Sequence, residues 1–177
     1  MVAPKMAFGT GHHATTWLML DACSRMDFDG KTVLDMGCGT GVLGLLAHKL
    51  GAKAVTLIDF DPWSEENTRE NAALNGIADP VAAGLDIRLG DVTAIPSQRY
   101  QIILANINRN VLMADRDHYL AALAPGGRIA LSGFLDFDEA RVAAHYSAAG
   151  LIQVDRRDRE SWMMLAFEKP NTPTLNS

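Results

Sequence analysis

The stretch from Lys31 to Met36 (KTVLDM), followed at once by Gly37-Cys38-Gly39-Thr40-Gly41, constrains this chain more than any other feature. An apolar run of that length between turn residues reads as a buried strand. The glycines read as a tight turn, and Val42 to Leu50 as a helix closed by Gly51. Strand, glycine loop and helix in that order place backbone amides at a helix N-terminus, where a polar or anionic part of a nucleotide-like ligand can approach because no Cβ intervenes. Gly39-x-Gly41-x-x-Gly44 satisfies the dinucleotide fingerprint, and Asp59 follows at the ~20-residue spacing expected of an acid that grips ribose hydroxyls. By itself this signal fits NAD and S-adenosyl-L-methionine equally.

The rest of the chain repeats the alternation. A helix is expected from about Thr15 to Met26, ahead of any strand. Ala54 to Asp59 is a second strand, and Asp61-Pro62 opens a helix that ends near Asn75-Gly76, since proline suits the first helical position and aspartate caps free amides. Leu85 to Leu89, Tyr100 to Ala105 and Arg128 to Ser132 are strands, with a helix over Asn110 to Leu123 stopping at Pro125-Gly126-Gly127. A last helix over Glu139 to Ala149 leads into strands Leu151 to Asp155 and Trp162 to Phe167, joined by the charged segment Arg156 to Glu160. So close a pair resembles a hairpin, so the last two strands should be antiparallel. The whole is an α/β chain with a doubly wound, seven-stranded, Rossmann-like sheet. Its 177 residues and 48% hydrophobic content suit one domain, expected over residues 1–169, with a polar, proline-bearing and frayed tail over 170–177.

Charge and cysteine use narrow the partners. A net charge of -5 gives little attraction for phosphate backbones, so direct nucleic-acid binding is not expected. Cys23 and Cys38 are the only cysteines and suit a reducing compartment. No stretch resembles a secretion signal or approaches the ~20 apolar residues of a membrane span. A cytoplasmic protein with no membrane association and no metal site is the expectation.

Two features separate the cofactors. Asp35 stands at the strand's end before the loop, where an acid would repel a pyrophosphate but can pair with the cationic amino group of a methionine moiety. A helix cap or a satisfied loop acid is the plainer alternative for it. The chain also lacks the second mononucleotide-binding half that a dinucleotide fold carries after its fifth strand. A nicotinamide-dependent oxidoreductase, or a cofactor-binding module without activity, is the competing class.

The segment Phe8-Gly-Thr-Gly-His-His-Ala-Thr-Thr16, the run Asp35 to Gly41, Asp59 and Ala105-Asn-Ile-Asn108 together resemble the bacterial methyltransferases of large-subunit ribosomal protein eleven. The resemblance runs from Pro4 to about Lys169. It is to the catalytic domain alone, since members of that family carry a recognition domain ahead of it and here the motif begins at Phe8. It implies a class I methyltransferase sheet, S-adenosyl-L-methionine as cofactor, and a ribosomal protein as partner, methylated on lysine or α-amino groups; another protein or a small-molecule amine is the alternative acceptor. Carried over position by position, it puts cofactor contacts at Thr16, Gly37, Asp59 and Asn106. Asp35, Gly39 and Gly41 join them from the reading of the loop. The family's glycine-threonine segment lies over the cofactor, which makes Phe8, Thr10 and His13 candidate pocket residues, with Asn108. His12 stands where the family has a threonine and Ala14 where it has a proline, so the loop is stiffened differently.

Transfer from a sulfonium needs positioning more than proton abstraction, so neither His12 nor His13 is read as a base. Asn106 is the candidate catalytic residue, orienting the incoming amine through its side-chain carbonyl, with Ile107 and Asn108 shaping the pocket. A simple cap on the helix that follows is the equal alternative for Asn108. Trp17, Trp63 and Trp162 are read first as core, with Trp63 the best exception because it follows Asp59; Met163 and Met164 are read as strand core.

Overall fold

The computed structural model describes residues 13–171. Phe8, Thr10 and His12 lie outside those residues, as does the tail from 172 onward. The elements follow in the order α1 (Ala14–Cys23), β1 (Thr32–Met36), α2 (Val42–Lys49), β2 (Ala54–Asp59), α3 (Pro62–Leu74), β3 (Leu85–Leu89), β4 (Tyr100–Asn106), α4 (Arg109–Ala122), β5 (Leu123–Leu135), α5 (Glu139–Ser147), β6 (Ile152–Arg159) and β7 (Trp162–Glu168). The seven strands form one sheet in the order β3-β2-β1-β4-β5-β7-β6. The first five are parallel, and β7 runs antiparallel to both β5 and β6. The doubly wound α/β sheet with antiparallel last strands is thus as expected from the sequence.

Near-continuous apolar strands build two cores, because successive side chains point to opposite faces. Val33, Val55, Leu57, Ile102 and Leu104 face Leu18 of α1, Leu43 of α2 and Ala72 of α3. Leu34, Ile58, Ile103 and Ile129 face Leu112 and Tyr119 of α4 and Val142 and Tyr146 of α5. Met163 and Met164 are fully buried, one in each core. The order in which strands are added reverses between β1 and β4, with β2 and β3 built outward on one side and β5 on the other. That junction opens a crevice at the carboxyl ends of the strands.

Three expectations need correction. Arg156 to Arg159 are not a connector but the second half of β6, paired with β7 as far as Arg159 opposite Trp162. β6 is an edge strand, where charged side chains discourage pairing with other chains; Arg156 reaches Glu139 at 2.7 Å and Arg157 bonds Asp155 and Asp21. The turn is only Glu160-Ser161, both left-handed (φ 52° and 65°), the backbone of a two-residue turn that ordinarily selects Asn-Gly. Second, β5 overhangs the sheet to Leu135, where it pairs with Trp162. Third, Trp17 is not core, being 45% exposed and lying under the guanidinium of Arg159 at 4.5 Å; Trp63, the exception to the core reading, is 72% exposed. Among the described residues no helix is long and apolar enough to cross a membrane.

A left-handed backbone costs a non-glycine residue about 1 kcal/mol or more. Replacing Glu160 and Ser161 together by Asn-Gly should therefore stabilise the protein by about 1 kcal/mol and raise Tm by roughly 2–4 °C. An unchanged or lower Tm by calorimetry would show that this hairpin carries no backbone strain.

Candidate functional site

The loop after β1 is held from every side by hydrogen bonds. The N–H groups of Gly37 and Cys38 both donate to the Ile58 carbonyl at the end of β2, at 2.8 and 3.1 Å. Gly39 N–H donates to Asp59 Oδ2 at 2.8 Å, Gly41 N–H to the Cys38 carbonyl at 2.8 Å, and Gly44 N–H to Asp35 Oδ2 at 2.8 Å. The loop therefore spends these amides inside the protein. Gly37 (φ +69°) lies so near the next strand that a Cβ there would meet Ile107 Cγ2 at 2.1 Å.

Asp35 sits beneath the loop, 1% exposed, and its bond to Gly44 satisfies one of the free amides in the first turn of α2. The plainer alternative for this residue, a helix cap, is what its side chain does here. Burial pushes its carboxyl up to about 7; the Gly44 bond opposes this and Asp59 nearby adds to it.

Asp59 ends β2 and is 6% exposed. Its Oδ1 accepts from Asp61 N–H at 3.0 Å, while Asp61 caps α3 through Trp63 N–H at 3.0 Å. The register makes Asp59, Gly37 and Asn106 neighbours across the mouth. Met36 pairs with Ile58 on one side and Ala105 on the other, so the three residues each follow a paired position on adjacent strands, and the outer two stand about 10 Å apart at ordinary strand spacing. Asn106 is partly buried. Beyond it, Ile107 N–H donates to the Ser132 carbonyl at 3.2 Å.

The start of α1 reaches the same edge. His13 is its N-cap, with Nδ1 accepting from Thr15 N–H at 3.3 Å, and its ring meets Trp162 edge-on at 4.8 Å. Trp162 pairs with Leu135 at the carboxyl end of β5. Thr16 follows in the first turn, 2% exposed. Asn108 is exposed and its Oδ1 accepts from Val111 N–H at 3.2 Å, capping α4; the cap alternative describes its contact. The structure thus brings Thr16, Asp35, the glycine loop, Asp59 and Asn106 to one end of the sheet. Phe60, 79% exposed directly after Asp59, is an aromatic at this mouth that the sequence reading passed over; its signal was position alone. A depression of 340 Å³ lined by Asp27, Lys31, Gln101 and Arg128 lies at the opposite, amino end of the strands and is not part of the site.

Because the Asp35 carboxyl in the fold titrates above its ordinary ~3.9, the folded protein keeps a proton that the unfolded chain has lost between that value and about 7. Stability falls as pH rises through this window, and the whole cost stands above it. Asp35→Asn keeps a carbonyl acceptor for Gly44, so its unfolding midpoint in urea should gain on the unaltered protein between about pH 4 and about pH 8. A difference constant over that range would place the Asp35 titration elsewhere.

Comparison with known proteins agrees with this arrangement. The family model described as Ribosomal protein L11 methyltransferase (PrmA) matches residues 1–170. The Ribosomal protein L11 methyltransferase of Porphyromonas gingivalis is 45% identical over 174 residues, 98% of this chain and 58% of that protein. That of Citrifermentans bemidjiense is 40% identical over 96% of this chain and 55% of its own length. The chain therefore spans a little over half the length of these relatives. Among solved structures, ribosomal protein L11 methylase from Lactobacillus delbrueckii subsp. bulgaricus superposes with a TM-score of 0.85 at 27% identity, covering 96% of this chain and 84% of that one. An RNA methyltransferase from Salinibacter ruber, solved with S-adenosyl-L-homocysteine, shares the fold at 19% identity and a TM-score of 0.66. On the match over nearly its whole length, the chain belongs to the ribosomal protein L11 methyltransferase family.

Proposed function

We propose that this chain is the catalytic unit of an S-adenosyl-L-methionine-dependent N-methyltransferase whose acceptors are lysine or α-amino groups of ribosomal protein L11, which implies a cytoplasmic location. The observation that carries the cofactor reading is the loop itself. Its amides are accepted by Ile58, Asp59, Cys38 and Asp35, so they are poor ground for a pyrophosphate, while Asp59 at the end of the neighbouring strand suits the hydroxyls of a ribose. The acceptor is read from the names of the relatives.

The residues present fit that cofactor by their donor sets. A carboxylate has about four lone-pair sites; Asp59 uses two on backbone N–H groups and keeps acceptor capacity for ribose hydroxyls. Thr16 contributes a hydroxyl from the start of α1, Gly37 a backbone position at the mouth between Asp59 and Asn106, and Asn106 a donor and an acceptor on one amide. When bound, S-adenosyl-L-methionine supplies a methyl group already activated on a sulfonium, so the protein has mainly to position the acceptor and exclude water.

A lysine ammonium, with a reference pKa of ~10.4, must first give up its proton, and an apolar pocket favours the neutral form. Water can take that proton. The Asn106 side-chain carbonyl accepts a hydrogen bond from the amine and fixes the direction of its lone pair, with Ile107 alongside as apolar wall. His13 is held by Thr15 and Trp162 and serves this reading as a rim residue, not a base.

Asp59→Ala removes the ribose acceptor together with the anchor of Gly39, so binding of S-adenosyl-L-homocysteine should weaken by about 2 kcal/mol, roughly 30-fold. Asn106→Ala should leave that affinity within a few-fold and lower kcat by on the order of 100-fold. Equal loss of binding in both variants would contradict the roles assigned, and calorimetric binding of NAD with no response to S-adenosyl-L-homocysteine would replace the whole reading by the oxidoreductase class. For the acceptor, ribosomal protein L11 is incubated with cofactor and this chain, alone or joined to the N-terminal segment of the Porphyromonas gingivalis relative. Mass spectrometry should detect methyl-sized gains; none in either arm rejects that acceptor.

A further inference from the structure

The back of the glycine loop is gripped by a helix that the reaction does not otherwise use. α3 carries Thr68 and Asn71, fully or almost fully buried at 0% and 2% exposure, on the face turned toward the loop. Thr68 Oγ1 donates to the Gly39 carbonyl at 3.0 Å, and Asn71 Nδ2 donates to the Thr40 carbonyl at 3.0 Å. Cys38 Sγ lies 3.6 Å from Thr68 Oγ1. Burial, with Asp35 nearby, pushes the Cys38 thiol well above its usual range, so it stays protonated. The single hydroxyl proton of Thr68 goes to Gly39, which leaves the Cys38 S–H as the donor between those two. Gly41 (φ +74°) fits against the same threonine so closely that a Cβ there would meet Thr68 Cγ2 at 2.7 Å.

From this we infer that Thr68 and Asn71 are positioning residues for the methyl donor: they hold the carbonyl side of the loop, as Asp59 and Asp35 hold its amide side, so that it meets the cofactor already ordered. The inference rests on the reading of this loop as the cofactor site. Gly37, Gly39 and Gly41 all sit at positive φ, and glycine loses more freedom on being fixed than any other residue. A loop of this composition, released from one side, samples other conformations, and binding must then restore the order that α3 now supplies in advance. Thr68 is fully buried and its hydroxyl is spent on the Gly39 carbonyl, so it acts through the loop.

The test uses the whole chain and four variants: Thr68→Val, which keeps the shape and loses the donor; Thr68→Ser, which keeps the donor; Asn71→Ala; and Tyr146→Phe. The last removes a buried hydroxyl that donates to the Leu112 carbonyl at 2.7 Å in the opposite core and serves as a control for general loss of stability. Without ligand, hydrogen exchange at the Gly39, Gly41 and Gly44 amides should quicken in Thr68→Val and Asn71→Ala and stay unchanged in Thr68→Ser and Tyr146→Phe. On titration with S-adenosyl-L-homocysteine, Thr68→Val and Asn71→Ala should each bind roughly tenfold more weakly. With ribosomal protein L11 as acceptor, the KM for the methyl donor should rise by a similar factor while kcat and the KM for acceptor hold, and Thr68→Ser should restore it. Unchanged exchange in Thr68→Val and Asn71→Ala, or an equal loss of affinity in Tyr146→Phe, overturns the inference. Quickened exchange in a protein that fails to bind S-adenosyl-L-homocysteine even unaltered leaves the loop-holding role standing and sinks the cofactor reading instead.

Discussion

The bond from Gly39 N–H to the Asp59 carboxylate, 2.8 Å long and buried, joins the two strand ends on which the site depends. A backbone N–H meeting an ionised acceptor is among the stronger hydrogen bonds a protein makes. The other oxygen of the same carboxylate accepts from Asp61 N–H, and Asp61 in turn starts α3 by capping Trp63. One side chain therefore sets the loop after β1, the loop after β2 and the first turn of the helix that comes back to grip the first loop through Thr68 and Asn71. The circuit closes on itself: β2 ends, α3 begins, and α3 returns to the loop it is tethered to. Rigidity at the mouth of the sheet comes from this closure, since three of the loop's residues are glycines with no side chain to hold them.

Much of this architecture was legible in residue pattern. Apolar runs of five to seven give the central parallel strands β1, β2 and β4, because a strand buried on both faces carries no alternation. Asp61-Pro62 marks the start of α3 as expected. The second half of β6 was hidden for a physical reason. An edge strand needs no apolar face, and its turn is made by Glu160-Ser161 instead of glycine or asparagine, so neither hydropathy nor turn chemistry announces it. Trp17 escapes such a reading because aromatic residues are usually buried, whereas here it lies under Arg159.

The site was legible by type and only partly by arrangement. Asp35 and Asp59 stand out as acids at strand ends, but the sequence cannot tell a carboxylate that faces a ligand from one that caps a helix, and Asp35 is occupied with Gly44. Asn108 carries the same ambiguity and is likewise occupied, with Val111. Thr68 and Asn71 resemble ordinary polar residues of an exposed helix. Their one signal is spacing: with Ser64, also buried, they fall at i, i+4 and i+7, a polar stripe on a face that must pack against something. A buried polar stripe requires partners, and in this fold the available partners are the carbonyls of the glycine loop.

The two sides of the mouth are built differently, and the difference follows from what each must do. On the loop side, amides and carbonyls are held by separate elements, and burial beneath it is deep enough to move the titration of Asp35 to about 7. A surface held in this way loses little freedom if a ligand settles on it. On the side of β4, Asn106 is partly buried and stands at the end of its strand, while the chain just beyond it is pinned by main-chain contacts: Ile107 N–H on the Ser132 carbonyl, and the Ile107 carbonyl so near Gly133 that a Cβ there would lie 2.2 Å away. The backbone beyond β4 is thus fixed while Asn106 stands only partly buried at the strand end, which is the placement the proposed role of Asn106 requires, since a strand end held by main-chain contacts sets where its side chain starts.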